Sequence, residues 1–398
     1  MPAKGVALMN PATTAYDVVV VGAGAIGLAC GWKAAERGLA VAVVDPTPRL
    51  GASYAAAGML APVTEAHYGE ELLLRLNLAA AARYPTFVAE LEQASGLPAG
   101  FRTCGTLAVA LDAGDRAVLD DLHAFQHRLG LASESLSGRE CRRLEPLLAP
   151  SVQGGLLVAG DHQVDNRLMT DALLAAAERS GATVVRSTVT EVCLRGGAVT
   201  GVRIDDGATL DAGTVVLAAG ARSAGIMGLP EDLLPPVRPV KGQILRLRVP
   251  PAYRPLLSRT VRGTVHGSPV YLVPREHGEL VVGATQEELG YDDQVTAGGV
   301  YELLRDAHAL VPAVSELPLV EARAGLRPGS PDNAPLVGPT ELPGLVLATG
   351  HYRNGILLTP VTADAVAALL AEGTLPEVMA PFTPLRFAAR TTSGGART

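Results

Sequence analysis

Residues Asp17-Val-Val-Val-Val21 run without a break into Gly22-Ala-Gly-Ala-Ile-Gly27. An unbroken β-branched run reads as a strand buried on both faces, the habit of parallel sheets. The Gly-x-Gly-x-x-Gly that follows opens a helix over about residues 26–37, with Gly38 where a helix C-cap belongs. Residues Leu39 to Asp45 then form a second apolar strand. In such a strand–helix–strand unit each glycine has its own task. Gly22 makes the tight turn, Gly24 lets backbone approach a pyrophosphate, and Gly27 lets the helix pack close to the sheet. The N–H groups at the helix start, aided by the helix dipole, face the phosphates. Asp45, ending the second strand, can accept hydrogen bonds from ribose hydroxyls. The unit predicts one bound dinucleotide, NAD or FAD. Gly220-Ala-Arg-Ser-Ala-Gly225 has the wrong spacing to be a second such fingerprint.

Composition removes other chemistries. Of 33 basic residues only Lys4, Lys33 and Lys241 are lysines, and none precedes Ser or Thr, so there is no Walker A loop. A net charge of −7 gives no electrostatic footprint for nucleic acid or for a membrane surface. Cys30, Cys104, Cys141 and Cys193 are spaced neither as a disulfide framework nor as metal ligands, and read as small hydrophobes in a reducing compartment. No metal site, signal peptide or membrane span is expected, which places the chain as soluble and cytoplasmic. Neither Gly-x-Ser-x-Gly nor His-Glu-x-x-His occurs.

Buried-strand patterns recur at residues 16–45, 155–220 and 322–375. Gly155-Leu-Leu-Val opens a further strand–helix segment, Gly196-Gly197 and Asp206-Gly207 mark hairpin turns, and Thr214–Gly220 and Gly344–Gly350 are strands ending in glycine. A helix is predicted over 355–372. Residues 236–320 instead carry short alternating strands with proline between them, an antiparallel texture. The expected fold class is α/β: a Rossmann-like dinucleotide-binding unit interleaved with a mainly antiparallel sheet-plus-helix unit. The first takes residues 16–88, 160–232 and 322–377, the second 89–159 and 233–321, with loose tails at 1–15 and 389–398.

Late in the chain a strand turns through glycine onto a helix at His351-Tyr-Arg-Asn-Gly-Ile-Leu357. A helix start there is placed to stabilise negative charge on a reduced flavin ring, although Asn354 as an ordinary cap needs no ligand. Other stretches join it: Ser53-Tyr-Ala-Ala-Ala-Gly-Met-Leu60, Pro239-Val-Lys-Gly-Gln243, Tyr271-Leu-Val-Pro-Arg275, Val281-Val-Gly-Ala-Thr285 and Ala324-Gly-Leu-Arg-Pro-Gly329. Together they resemble the FAD-dependent amine oxidoreductases of the D-amino-acid oxidase type, and within them the glycine oxidases of the thiamine pathway.

That resemblance implies non-covalent FAD, since no cysteine follows Cys193 to carry the flavin link of related sarcosine oxidases. It implies FAD contacts from Gly22, Gly24, Ala25, Ile26, Gly27, Asp45, Ala52, Ser53, Ala57, Gly58 and Met59, with Val189 on the adenine side and Gly220 nearby. His351, Tyr352, Arg353, Asn354, Gly355, Ile356 and Leu357 would line the flavin ring. Arg327 would pair with the substrate carboxylate, Tyr271 would donate its hydroxyl to it, and Arg353, Met59 and Gln286 would border the pocket. The implied reaction is oxidation of glycine, sarcosine or D-alanine by hydride transfer to flavin N5, giving glyoxylate or another 2-oxo acid, ammonia and hydrogen peroxide. Small amino acid and O2 would be its partners, in a dimer or tetramer.

The chain departs from the pattern twice. Gln286 stands where a methionine is usual, and Pro269 replaces a histidine two before the tyrosine. Both expected positions lie near the pocket and bear on substrate preference. A D-amino-acid dehydrogenase passing electrons to a quinone is the alternative; a nucleic-acid-modifying flavoprotein or a silent FAD module is a third reading. Among weaker signals, His67, His162, His266 and His277 read as structural or exposed, Asp165 or Asn166 as a helix cap, and Lys241 as structural or as reaching the flavin or substrate.

Overall fold

The computed structural model describes residues 15–265 and 267–387. The two predicted tails and His266 fall outside them, except Ala15, which opens the first strand instead of ending a loose extension. Ala15–Val21 is central in its sheet. It pairs in parallel with Val41–Val44 on one side and with Thr209–Leu217 on the other. Val41–Val44 continues in parallel to Thr183–Val185. Thr209–Leu217 meets two partners along its far edge. Its first half pairs antiparallel with Ala198–Ile204, within the predicted glycine hairpins, and its last three residues pair in parallel with Leu345–Thr349. The chain thus returns to this sheet from far downstream, and does so beside the strand ends that surround Gly22 and Gly220.

One face of the sheet is covered by four helices, Ala25–Glu36, Glu71–Ser95, Asn166–Arg179 and Gly355–Glu372, around a core holding Trp32, Leu76, Phe87 and Met169. Alanine and glycine make this tight stacking possible: a Cβ on Gly31 would come 2.6 Å from Val43. Tyr352–Glu372 is long and apolar enough to cross a membrane by length and composition, which the sequence reading did not expect. Its apolar residues are instead packed against the other helices.

The second sheet has eight strands. Leu319–Gly329, Arg238–Arg248, Glu279–Gly283, Ser268–Pro274 and Thr260–Val265 form a continuous antiparallel run. Thr260–Val265 then pairs in parallel with Thr106–Ala110, the one parallel joint, followed by Gly154–Val158 and Glu134–Ser137. The Ala297–Leu310 helix closes its core. Two expectations need correcting. Gly154–Val158 is an antiparallel member of this second sheet, not a segment of the parallel one. Leu319–Gly329 also belongs here, because ten of its register positions face Arg238–Arg248, so the sheet extends past the boundary expected at residue 321. In both cases a short apolar run bounded by glycine looks the same in either kind of sheet.

A three-stranded ribbon, Met59–Leu60, His162–Val164 and Phe101–Arg102, joins the layers. Asp165 caps the helix that follows, accepting from the N–H groups of Arg167 and Leu168, the role read for it from sequence.

Candidate active site

A cavity of about 570 Å³ runs from the Gly22–Gly27 loop to the face of the second sheet. Its first end is made largely of backbone and small side chains. Gly22 has φ +104°, and a Cβ on it would come 2.5 Å from the carbonyl oxygen of Ala218, just past the end of the neighbouring Thr209–Leu217 strand. A Cβ on Gly27 would come 1.9 Å from the Gly22 carbonyl oxygen, so Gly27 forms the close packing behind the cavity and does not line it. Gly24 and Ala25 line it; Gly24, at the N-cap, has no side chain to cap the helix, and the Ser53 hydroxyl accepts from the Ala25 N–H at 3.0 Å. Asp45 sits where expected, its two oxygens accepting from the N–H groups of Ala23 and Thr47, each at 2.8 Å, while it borders the cavity. Ile26, Ala52, Val189 and Gly220 complete this end. The glycine cradle that a Cβ would fill, together with a helix start facing into it, suits a pyrophosphate.

The middle of the cavity is the Ala57-Gly58-Met59 segment. Gly58 has φ +69°, and a Cβ there would come 2.0 Å from the Val164 carbonyl oxygen. Arg275, fully buried, donates to the carbonyl oxygen of Ala57 at 2.7 Å and also to Gln163, Val164 and Asn166. Burial pushes its guanidinium down to about 10, against the pull of Asp165. Asn166 in turn donates to the carbonyl oxygens of Ser53 and Tyr54. One cation from the second sheet and one amide from a helix thus fix the segment that faces the cavity.

Opposite lies the His351–Leu357 turn. His351, Tyr352, Arg353, Gly355 and Ile356 line the cavity; Asn354 and Leu357 are buried behind it. The Asn354 side chain makes no cap bond, so capping does not account for it. His351 is buried, 3.0 Å from the Thr362 hydroxyl, and burial pushes its imidazole down to about 3. It is therefore neutral at physiological pH.

The far end is a row of side chains across the second sheet. Register places Arg323, Ile244, Gly283, Tyr271 and Arg262 directly opposite one another on five successive strands. Gly283 leaves the space that the Tyr271 ring occupies: a Cβ there would come 2.4 Å from the tyrosine hydroxyl. Burial raises the Tyr271 hydroxyl above its ordinary value, with Arg327 beside it pulling the other way. Arg327 lies on the same strand as Arg323, four residues on. Its guanidinium spans Gly242, donating to the carbonyl oxygens of Lys241 and Thr285 at 3.3 and 3.1 Å. Among the described residues it has no acidic partner. Arg353, by contrast, is paired with Glu70. Of the arginines at this end, Arg353 pairs with Glu70, Arg323 with Glu321 and Arg262 with Glu65, and only Arg327 has no acidic partner among the described residues.

Some expectations change here. Gln286 is exposed and does not line the cavity. Thr285 and Glu287 bond inward, to Gln243 and to Lys241, so alternation along the chain turns Gln286 outward. Pro269 is exposed at the outer end of the Tyr271 strand and is likewise not a lining residue. Lys241 is fully buried, its ammonium 2.6 Å from Asp292 and 3.6 Å from Glu287; it braces the strand that seats Arg327 and does not enter the cavity. Sequence reasoning missed Glu65, Arg323 and Arg262. Glu65 lines the cavity and is held 2.9 Å from Arg262. No motif marks these residues, because only the sheet register brings them together.

Comparison with known proteins supports this reading. Residues 17–369 match the family described as FAD dependent oxidoreductase (DAO). The bifunctional protein ThiO/ThiG of Synechocystis sp. is 36% identical over 379 residues, covering 94% of this chain and 54% of that protein. The chain thus spans about half the length of the first relatives it matches. Glycine oxidase of Geobacillus kaustophilus is 35% identical over 378 residues, 94% of this chain and 98% of that one, and its crystal structure superimposes with a TM-score of 0.86 at 34% identity over 94% and 99% of the two chains. Hydrogen cyanide synthase subunit HcnC of Pseudomonas aeruginosa is 32% identical over 409 residues, 94% of this chain and 96% of that subunit. With its glycine cradle, its return to the first sheet and its arginine–tyrosine row in place, this chain belongs to the FAD-dependent oxidoreductase family of the D-amino-acid oxidase type.

Proposed function

We propose that the protein oxidises small amino acids at the Cα–N bond, glycine first among them and sarcosine and D-alanine as related substrates. The observation that carries this is Arg327: a guanidinium fork at the cavity's second end with no acidic partner among the described residues, beside the Tyr271 hydroxyl. A planar fork binds a carboxylate bidentately, which fixes orientation as well as position. Tyr271 adds one donor to the same carboxylate. Held so, the substrate presents its Cα towards the middle of the cavity, and orientation alone lowers the barrier without a side-chain base at carbon. Held in this cavity, FAD would supply a two-electron acceptor for the Cα hydrogen, which leaves the neutral amine as hydride while one N–H proton passes to water, and O2 would take up the electron pair with two protons as hydrogen peroxide. The imine left behind hydrolyses in water to glyoxylate and ammonia in the case of glycine.

The 35% identity to a glycine oxidase supports glycine as substrate, and resemblance to the glycine oxidases of that pathway supports a place in thiamine biosynthesis. Non-covalent attachment of FAD, a cytoplasmic setting and a homo-oligomer belong to the same reading. The test is anaerobic mixing with glycine, sarcosine and D-alanine, followed by an oxygen electrode. Flavin absorbance should bleach, fastest with glycine, and peroxide should form on re-aeration. Bleaching with none of the three would sink the proposal; dye reduction by D-alanine without peroxide would replace it with the dehydrogenase.

A further inference from the structure

Glu65 is a carboxylate that lines the cavity in a held geometry and has an oxygen to spare; Asp293, which also lines the cavity, is exposed and has no such brace among the described residues. Its Oε1 accepts from Arg262 at 2.9 Å, whereas Oε2 accepts no hydrogen bond among the described residues. Its side chain is 14% exposed, and that exposure is to the cavity it lines. Arg262 stands directly across the strand pair from Tyr271, a spacing of about 5 Å between facing side chains. Arg262 therefore holds Glu65 beside the strand pair that carries Tyr271. The backbone around Glu65 is held as firmly. Buried Asp161 accepts from the N–H groups of Val63 and Thr64 at 3.1 and 2.7 Å and from the Thr64 hydroxyl at 2.7 Å, and Gln126 donates to the Val63 carbonyl oxygen at 2.9 Å. Buried Asp161 and Gln126 thus hold the loop that carries this carboxylate. A purely structural ion pair would have no need of the cavity wall. Glu70, the other carboxylate near this end, is committed to Arg353 and Asn333.

We infer that the free oxygen of Glu65 is the seat of the substrate's ammonium group, opposite the Arg327 seat for its carboxylate. The cavity then selects small amino acids as zwitterions, by two charges of opposite sign in one lining with Tyr271, and the seated ammonium gives up a proton to water before hydride leaves Cα. This rests on the reading of Arg327 given above. The ligand class is a small α-ammonium monocarboxylate. A carboxylic acid with a neutral group in place of the amine is bound at one end only.

Two isosteric probes isolate the charge. 2-Aminoisobutyrate and pivalate differ by an ammonium against a methyl group, and neither has a Cα hydrogen to lose, so binding is measured without turnover. Calorimetric titration of the flavin-loaded protein should show wild type preferring aminoisobutyrate by about tenfold or more, the range of one charge-assisted hydrogen bond. Glu65→Gln and Glu65→Leu should bind the two probes alike, with pivalate affinity unchanged and flavin absorbance intact. A wild type without preference, or a Glu65→Gln variant that keeps it, overturns the assignment. Arg327→Ala should lose both probes together. If it keeps both, the carboxylate seat itself is wrong, a different failure from that of Glu65.

Discussion

The two ends of the cavity are built by opposite means. The end on the first sheet is a shape cut into backbone: Gly22 and Gly58 are required because a Cβ would strike a neighbouring carbonyl oxygen, and a Cβ on Gly24 would crowd the Ser53 hydroxyl at 3.1 Å. The end on the second sheet is a set of side chains, Arg327, Tyr271, Arg262 and Glu65, whose positions depend on strand register and on one another's hydrogen bonds. A backbone cradle tolerates no substitution but recognises little beyond a phosphate chain. A side-chain row tolerates substitution and, in the proposed reaction, would decide what is oxidised. Damage to the first end should remove the cofactor, and damage to the second should change substrate handling with the cofactor in place.

The largest expected effect is at Gly22. Valine there would meet the Ala218 carbonyl at a backbone conformation L side chains rarely adopt, and the variant should purify without flavin, read from absorbance per protein. Normal flavin content in Gly22→Val would break the comparison. Next is Arg327→Ala. Truncating one partner of a buried charged pair costs about 2–5 kcal/mol, so KM for glycine should rise roughly 30-fold or more while flavin content stays at the wild-type level. A normal KM would remove the arginine from the site; lost flavin would show that the two ends are not separable.

The same division governs what the sequence shows. A glycine at positive φ or in van der Waals conflict with a neighbour is a local demand, so Gly22, Gly24, Gly27 and the Asp165 cap can be read from a few residues. The helix at 355–372 falls where its glycine start and apolar run place it. Arg327 and Tyr271 were reachable only through the resemblance, and Gln286 was misplaced by it, because an exposed turn follows its own inward neighbours. Glu65 and Arg262 lie almost two hundred residues apart, and no short-range pattern encodes a contact created by the alignment of five strands. The Gly154–Val158 strand shows the same limit from the other side: its composition is that of a buried strand, and only its partners decide the sheet.

The ends also differ in how protons bear on them. Burial raises Asp161, which anchors the Glu65 loop, from an ordinary 3.8 to about 6, and lowers His351, on the flavin side, from 6.5 to about 3. The folded chain holds a proton on Asp161 that the unfolded chain has released, so this group's contribution is greatest below about 3.8 and is lost as pH rises through 6. His351 has the reverse sign: the unfolded chain binds a proton the folded one refuses, so stability is present above 6.5 and lost as pH falls toward 3. Between pH 4 and 6 the two oppose each other, each with a slope of at most about 1.4 kcal/mol per pH unit. Urea midpoints in excess FAD should therefore fall more steeply on acidification in Asp161→Asn than in wild type, and less steeply in His351→Asn. Identical slopes in all three proteins would show that neither group is shifted.

The smallest effect tests whether the second end works as a row. Tyr271→Phe keeps the ring and removes one neutral donor, worth about 0.5–1.5 kcal/mol, so KM should rise roughly two- to tenfold. Gly283→Ala leaves the hydroxyl but puts a methyl group 2.4 Å from it, forcing the ring aside. If the hydroxyl contributes through the place that Gly283 leaves for it, the two single variants raise KM by the same route and the double variant is no worse than the more impaired single one, a strongly non-additive cycle. Additive losses would mean that Gly283 serves the strand and not the tyrosine. Because burial raises the Tyr271 pKa, the hydroxyl remains a donor through neutral pH, and the cycle should give the same coupling at pH 7 and pH 8.5. A coupling that fades over that interval would mean that the non-additivity does not come from this hydroxyl.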